Sequence, residues 1–104
     1  MTQRVGKSTN FNDSPIINAG VTINASTSTA LLTLTQQDSL LILTNDGNQD
    51  AWVKMQAASV DNNKRGFLLY KGTTTELVLD FVRTNVEVSA IARNGNTDIY
   101  TTVM

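Results

Sequence analysis

Short apolar segments separated by turn-forming residues limit the folds open to this chain more than any other feature of its sequence. Several segments alternate apolar and polar residues, which is typical of half-buried strands, and several recur at intervals of about 8–12 residues. The single proline, Pro15, precedes the first segment and therefore interrupts none of them. The pattern predicts about eight strands, at residues 17–23, 30–34, 39–44, 51–57, 66–70, 75–81, 86–92 and 98–103.

Composition favours strands over helices. Thr, Asn and Ser are abundant, Glu occurs only at Glu76 and Glu87, and 104 residues suffice for one domain. We therefore expect a single antiparallel β-sandwich, jelly-roll-like or immunoglobulin-like, over residues 16–104. An extended N-terminal arm, residues 1–15, precedes it. The last four strands resemble two hairpins.

The phase of each strand predicts which side chains face the core. Residues 40–43 are all apolar, which indicates a strand covered on both faces. In the other segments, alternation directs one set of side chains inward. Trp52 lies on the opposite face of its segment, where a partner or the chain's own second sheet could cover it. The expected core residues are Val53, Met55, Leu77, Leu79, Val86 and Val88.

Histidine and cysteine are both absent from the chain. Without them no Ser-His-Asp or Cys-His arrangement, disulfide or zinc–thiolate site can form. We therefore expect no enzyme activity, no catalytic residue, no cofactor and no metal site. Residues 61–66 resemble the start of a calcium loop, but Arg65 stands at a ligand position and no Glu follows at the required offset. Asp46, Asp50 and Asp61 are best interpreted as turn residues.

The net charge of −1 argues against a nucleic-acid partner. Lys64, Arg65 and Lys71 flank the segment that ends at Tyr70, an arrangement able to stack on a single strand. In a slightly acidic chain, a solvated rim is the better interpretation of that cluster. No apolar run is long enough to span a membrane, and no apolar signal core follows the first residues. We expect a soluble protein made in a cytoplasm, without a membrane partner.

Six residues are candidate partner contacts. Residues 1–15 lack apolar periodicity, which fits either a frayed terminus or an arm that orders on a neighbouring subunit. Such an arm would offer two cations and apolar groups for docking, and the exposed aromatic side chains of the sandwich would offer anchors. The candidates are Arg4, Lys7, Phe11, Ile16, Trp52 and Tyr70.

Four segments form a recognisable arrangement. They are a Thr/Ser-rich opening strand at 21–27, an apolar strand ending in Thr-Asn at 41–45, a Gly-Phe-x-Leu-x-x-Gly hairpin at 66–72, and an Ala-Ile-Ala run at 90–92. Together they resemble small β-sandwich virion proteins of tailed bacteriophages, of the capsid decoration or cement type. Gln-Gln-Asp at 36–38 replaces the arginine that usually precedes the third strand of that family.

The resemblance implies a virion structural protein that binds an assembled phage capsid and stabilises it. The implied partners are the major capsid protein and further copies of the chain, in a homotrimer. The implied location is the capsid surface of the virion, after synthesis in the host cytoplasm. The alternative is a tail or fibre module that recognises a host surface glycan or protein, in which Trp52 and Tyr70 would contact a sugar.

Overall fold

The computed structural model describes residues 16–79 and 85–104. More than half of these residues lie in strands, and the one helical element among them is a short 3₁₀ turn at Ala58–Val60. Within this part of the chain, no helix is long and apolar enough to cross a membrane. The strands are β1 Ile16–Ile17, β2 Val21–Asn24, β3 Thr29–Leu34, β4 Leu40–Asn45, β5 Ala51–Lys54, β6 Phe67–Leu69, β7 Thr74–Val78, β8 Val86–Ala92 and β9 Asn96–Val103.

The strands form two antiparallel sheets that pack face to face. In sheet A, β1 and β2 both pair with the same edge of β9, which pairs with β4, which pairs with β7. In sheet B the order is β3-β8-β5-β6. The pairs β2·β9, β3·β8, β4·β7 and β5·β6 are nested, so the chain is one long antiparallel ribbon rolled across two sheets. The fold is the expected β-sandwich, and its topology is that of a jelly roll.

The expectation of two hairpins among the last four strands is wrong. β6 and β7 lie in different sheets, and so do β8 and β9. Their connections carry the chain across the sandwich, and the residues that suit a hairpin turn also suit such a crossing. The predicted first strand is also interrupted at residues 18–20, and β5 ends at Lys54 rather than at residue 57.

The core lies between the sheets and confirms the predicted strand phase. Val53, Leu79 and Val88 are buried, while Met55, Leu77 and Val86 are partly buried and pack against the core. The remaining core side chains are aliphatic residues and alanines from both sheets: Ile23, Leu31, Leu34, Leu41, Leu43, Ala51, Leu69, Ala90, Ala92, Ile99 and Val103.

Asn45, the last residue of β4, is fully buried at one end of the core. Its Nδ2 donates to the carbonyl oxygens of Gln49 (2.8 Å) and Leu69 (3.0 Å). Its Oδ1 accepts from the Gly47 amide (3.2 Å) and from the Thr97 hydroxyl (2.7 Å). One side chain thereby joins the turn after β4 to both sheets, with its polar atoms satisfied as burial requires.

Candidate functional site

The outward surface of sheet A, here called face A, is not covered by any other described residue. Alternation along each strand sends one set of side chains to the core and the other set outward. The outward set consists of Ile17, Thr22, Leu40, Ile42, Thr44, Thr74, Glu76, Val78, Asp98, Tyr100 and Thr102.

Cross-strand pairing arranges face A in rows. Thr44 pairs with Tyr100 on one side and with Thr74 on the other, and the two threonine hydroxyls are 3.0 Å apart. A second row runs Ile17, Thr102, Ile42, Glu76. Leu40 pairs with Val78 in a third row. Threonine and aliphatic side chains are therefore neighbours across these strands.

Several apolar side chains of face A are exposed to solvent. Ile17 is 72% exposed and Val78 is 67% exposed, while Leu40 and Ile42 are partly exposed. The apolar run at 40–43 indicated a strand covered on both faces, yet the described residues cover only the side of Leu41 and Leu43. Among these residues the side of Leu40 and Ile42 stays partly exposed.

Tyr100 is held over the interruption between β1 and β2. A Cβ atom placed on Gly20 would lie 2.7 Å from the Tyr100 ring, so the ring lies directly against the Gly20 backbone. The ring is still 41% exposed. Gly20 thus lets an aromatic side chain lie flat at the edge of face A, an arrangement suited to an interface anchor.

Face A has acidic groups and no described cation. Asp98 accepts a hydrogen bond from Thr22 (2.6 Å), Glu76 is exposed, and Asp46 lies at the border, where its amide bonds to the Asp98 carbonyl oxygen (2.9 Å). None of these three carboxylates belongs to an ion pair among the described residues.

The outer surface of sheet B is partly covered by the chain itself. The connection between β5 and β6, residues 55–66, lies across it, and Asp61 fastens that connection. The Asp61 carboxylate accepts from Lys54 Nζ (3.0 Å) and from the Arg65 guanidinium (2.8 Å). The Asp61 carbonyl oxygen accepts from Lys54 and from the Ser28 hydroxyl. Lys54 is consequently 5% exposed although it points away from the core.

The Arg65 guanidinium, the Lys54 ammonium and the Asn63 amide hold the pKa of the Asp61 carboxyl well below its usual range. Both carboxylate oxygens are occupied by these donors. Within the described ranges, no group of three metal-ligating side chains comes together. In this structure, Asp61 fastens the loop through internal contacts.

Beyond the covered part, the surface beside sheet B carries a cationic cluster, here called the Asp50 patch and defined by Asp50, Lys64, Lys71 and Arg93. The Arg93 guanidinium lies 3.4 Å from the Asp50 carboxylate, which also accepts from the Lys71 amide (3.0 Å). Lys64 donates to the Arg93 carbonyl oxygen (2.9 Å). Arg93 is therefore the cation paired with Asp50, Lys64 is bonded to the backbone of Arg93, and Lys71 is attached to Asp50 through its own backbone amide.

The two predicted aromatic contacts lie beside the Asp50 patch. Trp52 is half-buried on β5 and pairs with Leu68, and Tyr70 lies two residues beyond Leu68, so the strand phase places both rings on the same surface. Tyr70 is 58% exposed. Trp52 is neither a core residue nor a freely exposed one.

A cavity of about 300 Å³ opens where the two sheets part beside β1 and β3. Its carboxylate, Asp38, accepts from the Thr35 amide (2.8 Å) and so stabilises the turn between β3 and β4. The cavity otherwise offers an apolar floor with a neutral polar rim. It is lined by Asn18, Leu32, Thr33, Thr35, Asp38 and Val103.

The structure brings together only some of the six predicted partner contacts. Arg4, Lys7 and Phe11 lie outside the described residues. Ile16 lies in β1, at the edge of sheet A, where its backbone pairs with Val103. The Trp52 and Tyr70 pair lies on the other sheet.

Sequence reasoning missed most of face A and the buried Lys54. The one signal for face A was the apolar run in β4. Nothing local marks Lys54, because its burial depends on a loop that returns from residue 61.

No protein-family model matches this chain, and neither a curated protein nor a solved structure matches it.

Proposed function

We propose that this chain is a structural protein of a virion that attaches to an assembled capsid and stabilises it. The observation that supports the proposal is face A: a surface rich in threonine and aliphatic side chains that no other described residue covers. Such a surface associates through shape and apolar burial with few charged groups to desolvate. The motif resemblance described above directs the proposal to a capsid, and viral capsid domains are among the proteins that use the jelly-roll topology.

Attachment to the capsid is assigned to residues 1–15, which precede the edge strand β1. Fifteen extended residues reach about 50 Å, and the longest dimension of the described domain is 41 Å. The segment can therefore contact a neighbouring subunit. Arg4 and Lys7 would pair with acidic groups there, and Phe11 would fill an apolar site.

The location of the protein in particles tests the proposal. Virions that encode this protein would be purified, labelled with an antibody against the domain, and imaged. We expect many copies spread over the shell, at a fixed ratio to the major capsid protein. A few copies at one vertex would favour a tail component, and particles without the protein would contradict the proposal.

Truncation tests the role of the arm. Removing residues 1–14 should leave the far-ultraviolet circular dichroism unchanged while weakening binding to particles stripped of the protein, and Phe11→Ala should reproduce part of the loss. The matched control removes only residues 1–3, which retains both cations and the phenylalanine. If the longer truncation saturates particles as tightly as the full chain, the arm has no part in attachment.

The second candidate function is a tail or fibre module that binds a host glycan. The observation that favours it is the position of Trp52 and Tyr70 on one surface, next to the cations of the Asp50 patch. Aromatic rings stack on sugars, and the cations would suit an acidic sugar.

A glycan array distinguishes the two functions. Binding of an acidic glycan that is lost in Tyr70→Ala and retained in Tyr100→Ala would support the host-recognition module. Tyr100 is the matched control because it is also an exposed tyrosine, but on face A. Absence of glycan binding together with many copies on the shell would reject the host-recognition module.

A further inference from the structure

We propose that face A of one copy binds the Asp50 patch of a second copy, so that the chain associates head to tail. The inference rests on the proposed assembly function and names the partner of face A within it.

The cations of the described residues all lie on sheet B, on the β5–β6 connection, or in the turns at one end. Lys54 and Arg65 pair with Asp61 of the same molecule. The other three cations, Lys64, Lys71 and Arg93, form the Asp50 patch.

Face A has the opposite character. Glu76 and Asp98 lie on it and Asp46 lies at its border, without a described cation to pair with them. Two copies that met through face A alone, about a two-fold axis, would oppose like charges, which costs affinity. Contact between face A and the Asp50 patch opposes unlike charges.

The apolar parts of the two surfaces also correspond. Tyr70 stands exposed immediately before Lys71, and Trp52 and Leu68 are partly exposed beside it. Face A presents the exposed Ile17 and Val78. An aromatic anchor next to Lys71 would thus meet an aliphatic surface that also carries acids, a composition that suits an interface with a central anchor and a polar rim.

Pairing of two different surfaces is heterologous, and repetition of a heterologous contact closes into a ring or extends as a filament. A closed ring of three would be the homotrimer that the motif resemblance implies. Face A of every copy is then covered, which accounts for the apolar residues on both sides of β4.

Charge reversal of the full-length chain tests the contact, with sedimentation velocity as the measurement. Glu76→Lys with Asp98→Lys reverses face A, and Lys71→Glu with Arg93→Glu reverses the patch. Each pair should weaken association at least 10-fold, and all four substitutions in one chain should restore it, because both surfaces then change sign together. Association of the wild type should also weaken as NaCl is raised.

Two further variants separate the contact from effects on folding. Glu76→Gln with Asp98→Asn removes the charge with little change in shape and should weaken association less than the reversal does. Gln36→Lys adds a cation at the exposed turn between β3 and β4, which contributes no residue to face A or to the Asp50 patch, and should leave association unchanged. Thermal melting of every variant confirms that the domain is folded.

A wild-type chain that stays monomeric at about 1 mM, where even weak contacts populate, would overturn the inference. Association that survives reversal of the patch, or that the four-fold variant fails to restore, would also overturn it. Particle labelling is independent of these results: monomeric protein on many shell positions would retain the proposed function and reject the head-to-tail contact. A protein that forms rings but is absent from particles would retain the head-to-tail contact and reject the proposed function.

Discussion

The two outer faces of the sandwich are built from the same kind of strand but differ in how far other described residues cover them. On sheet B, residues 55–66 lie over the surface, and both Lys54 and Arg65 pair with Asp61. On sheet A, no described residue crosses the strands, and aliphatic, threonine and acidic side chains stay exposed. A face completed by the chain's own loop uses its charges for folding, whereas the face left open has its charges available for association.

The largest effect should come from the core that both faces share. Leu79 is 3% exposed and packs inward, whereas its neighbour Val78 points out from face A. Leu79→Ala should lower the free energy of unfolding by about 2–5 kcal/mol, because it removes buried contacts and leaves a cavity. Val78→Ala is the matched control and should change stability by less than about 0.5 kcal/mol. Chemical denaturation measures both, and equal losses would mean that face A also supports the fold.

The next effect concerns the covered face. Asp61→Asn removes the charge that holds Lys54 and Arg65, so residues 55–66 should open more often than the strands beneath them. Amide hydrogen exchange should accelerate in that loop and stay slow in β4 and β9. Asp98→Asn, on face A, is the matched control and should leave the loop protected. Uniform acceleration over the whole domain would contradict a local fastening role.

Acid should reveal the same contact. The neighbouring cations hold the pKa of Asp61 below its ordinary value of 3.8 in the folded state, so the folded state binds the proton less readily than the unfolded chain does. The stabilisation is therefore complete above pH 3.8 and is lost as pH falls below it.

Thermal melts between pH 7 and pH 2 would measure that loss. Asp61→Asn should show a shallower decline than the wild type below pH 3.8. Glu76→Gln is the matched control, because it removes a carboxylate that makes no ion pair among the described residues. Parallel curves for the wild type and Asp61→Asn would show that the contact does not contribute.

Strand positions could be predicted from the sequence because alternation is local. Val86–Ala92 agrees with the predicted segment at both ends. The sheet to which each strand belongs could not be predicted from the sequence. The residue types of a turn such as 93–95 suit both a reversal within one sheet and a crossing from one sheet to the other. The jelly-roll order depends on which edges meet, and that is decided by long-range packing.

The open face was partly predictable for the same reason. The run 40–43 is local and indicated that β4 needs cover on both sides. The charge of the face was not predictable, because Glu76 and Asp98 come from strands far apart in sequence. The burial of Lys54 could not be predicted from the sequence either, because a lysine at an outward position is normally solvated.

The smallest effect on stability, and the sharpest test of the open face, is expected from Gly20→Ala. Backbone strain is not the issue, since Gly20 does not have a positive φ. The new methyl group would meet the Tyr100 ring, and that ring is exposed enough to tilt away. Thermal melting should therefore change little, while the chemical shifts of the Tyr100 ring and the self-association measured by sedimentation should both change.

A double-mutant cycle decides whether Gly20→Ala acts through the ring. If it does, adding it to Tyr100→Ala should have no further effect on association, because the clash disappears with the ring. If the two effects add, the methyl group itself obstructs the partner, and the edge of face A at residues 18–20 lies inside the contact. Unchanged association in both single variants would place the contact away from Tyr100, toward the rows that contain Ile42 and Val78.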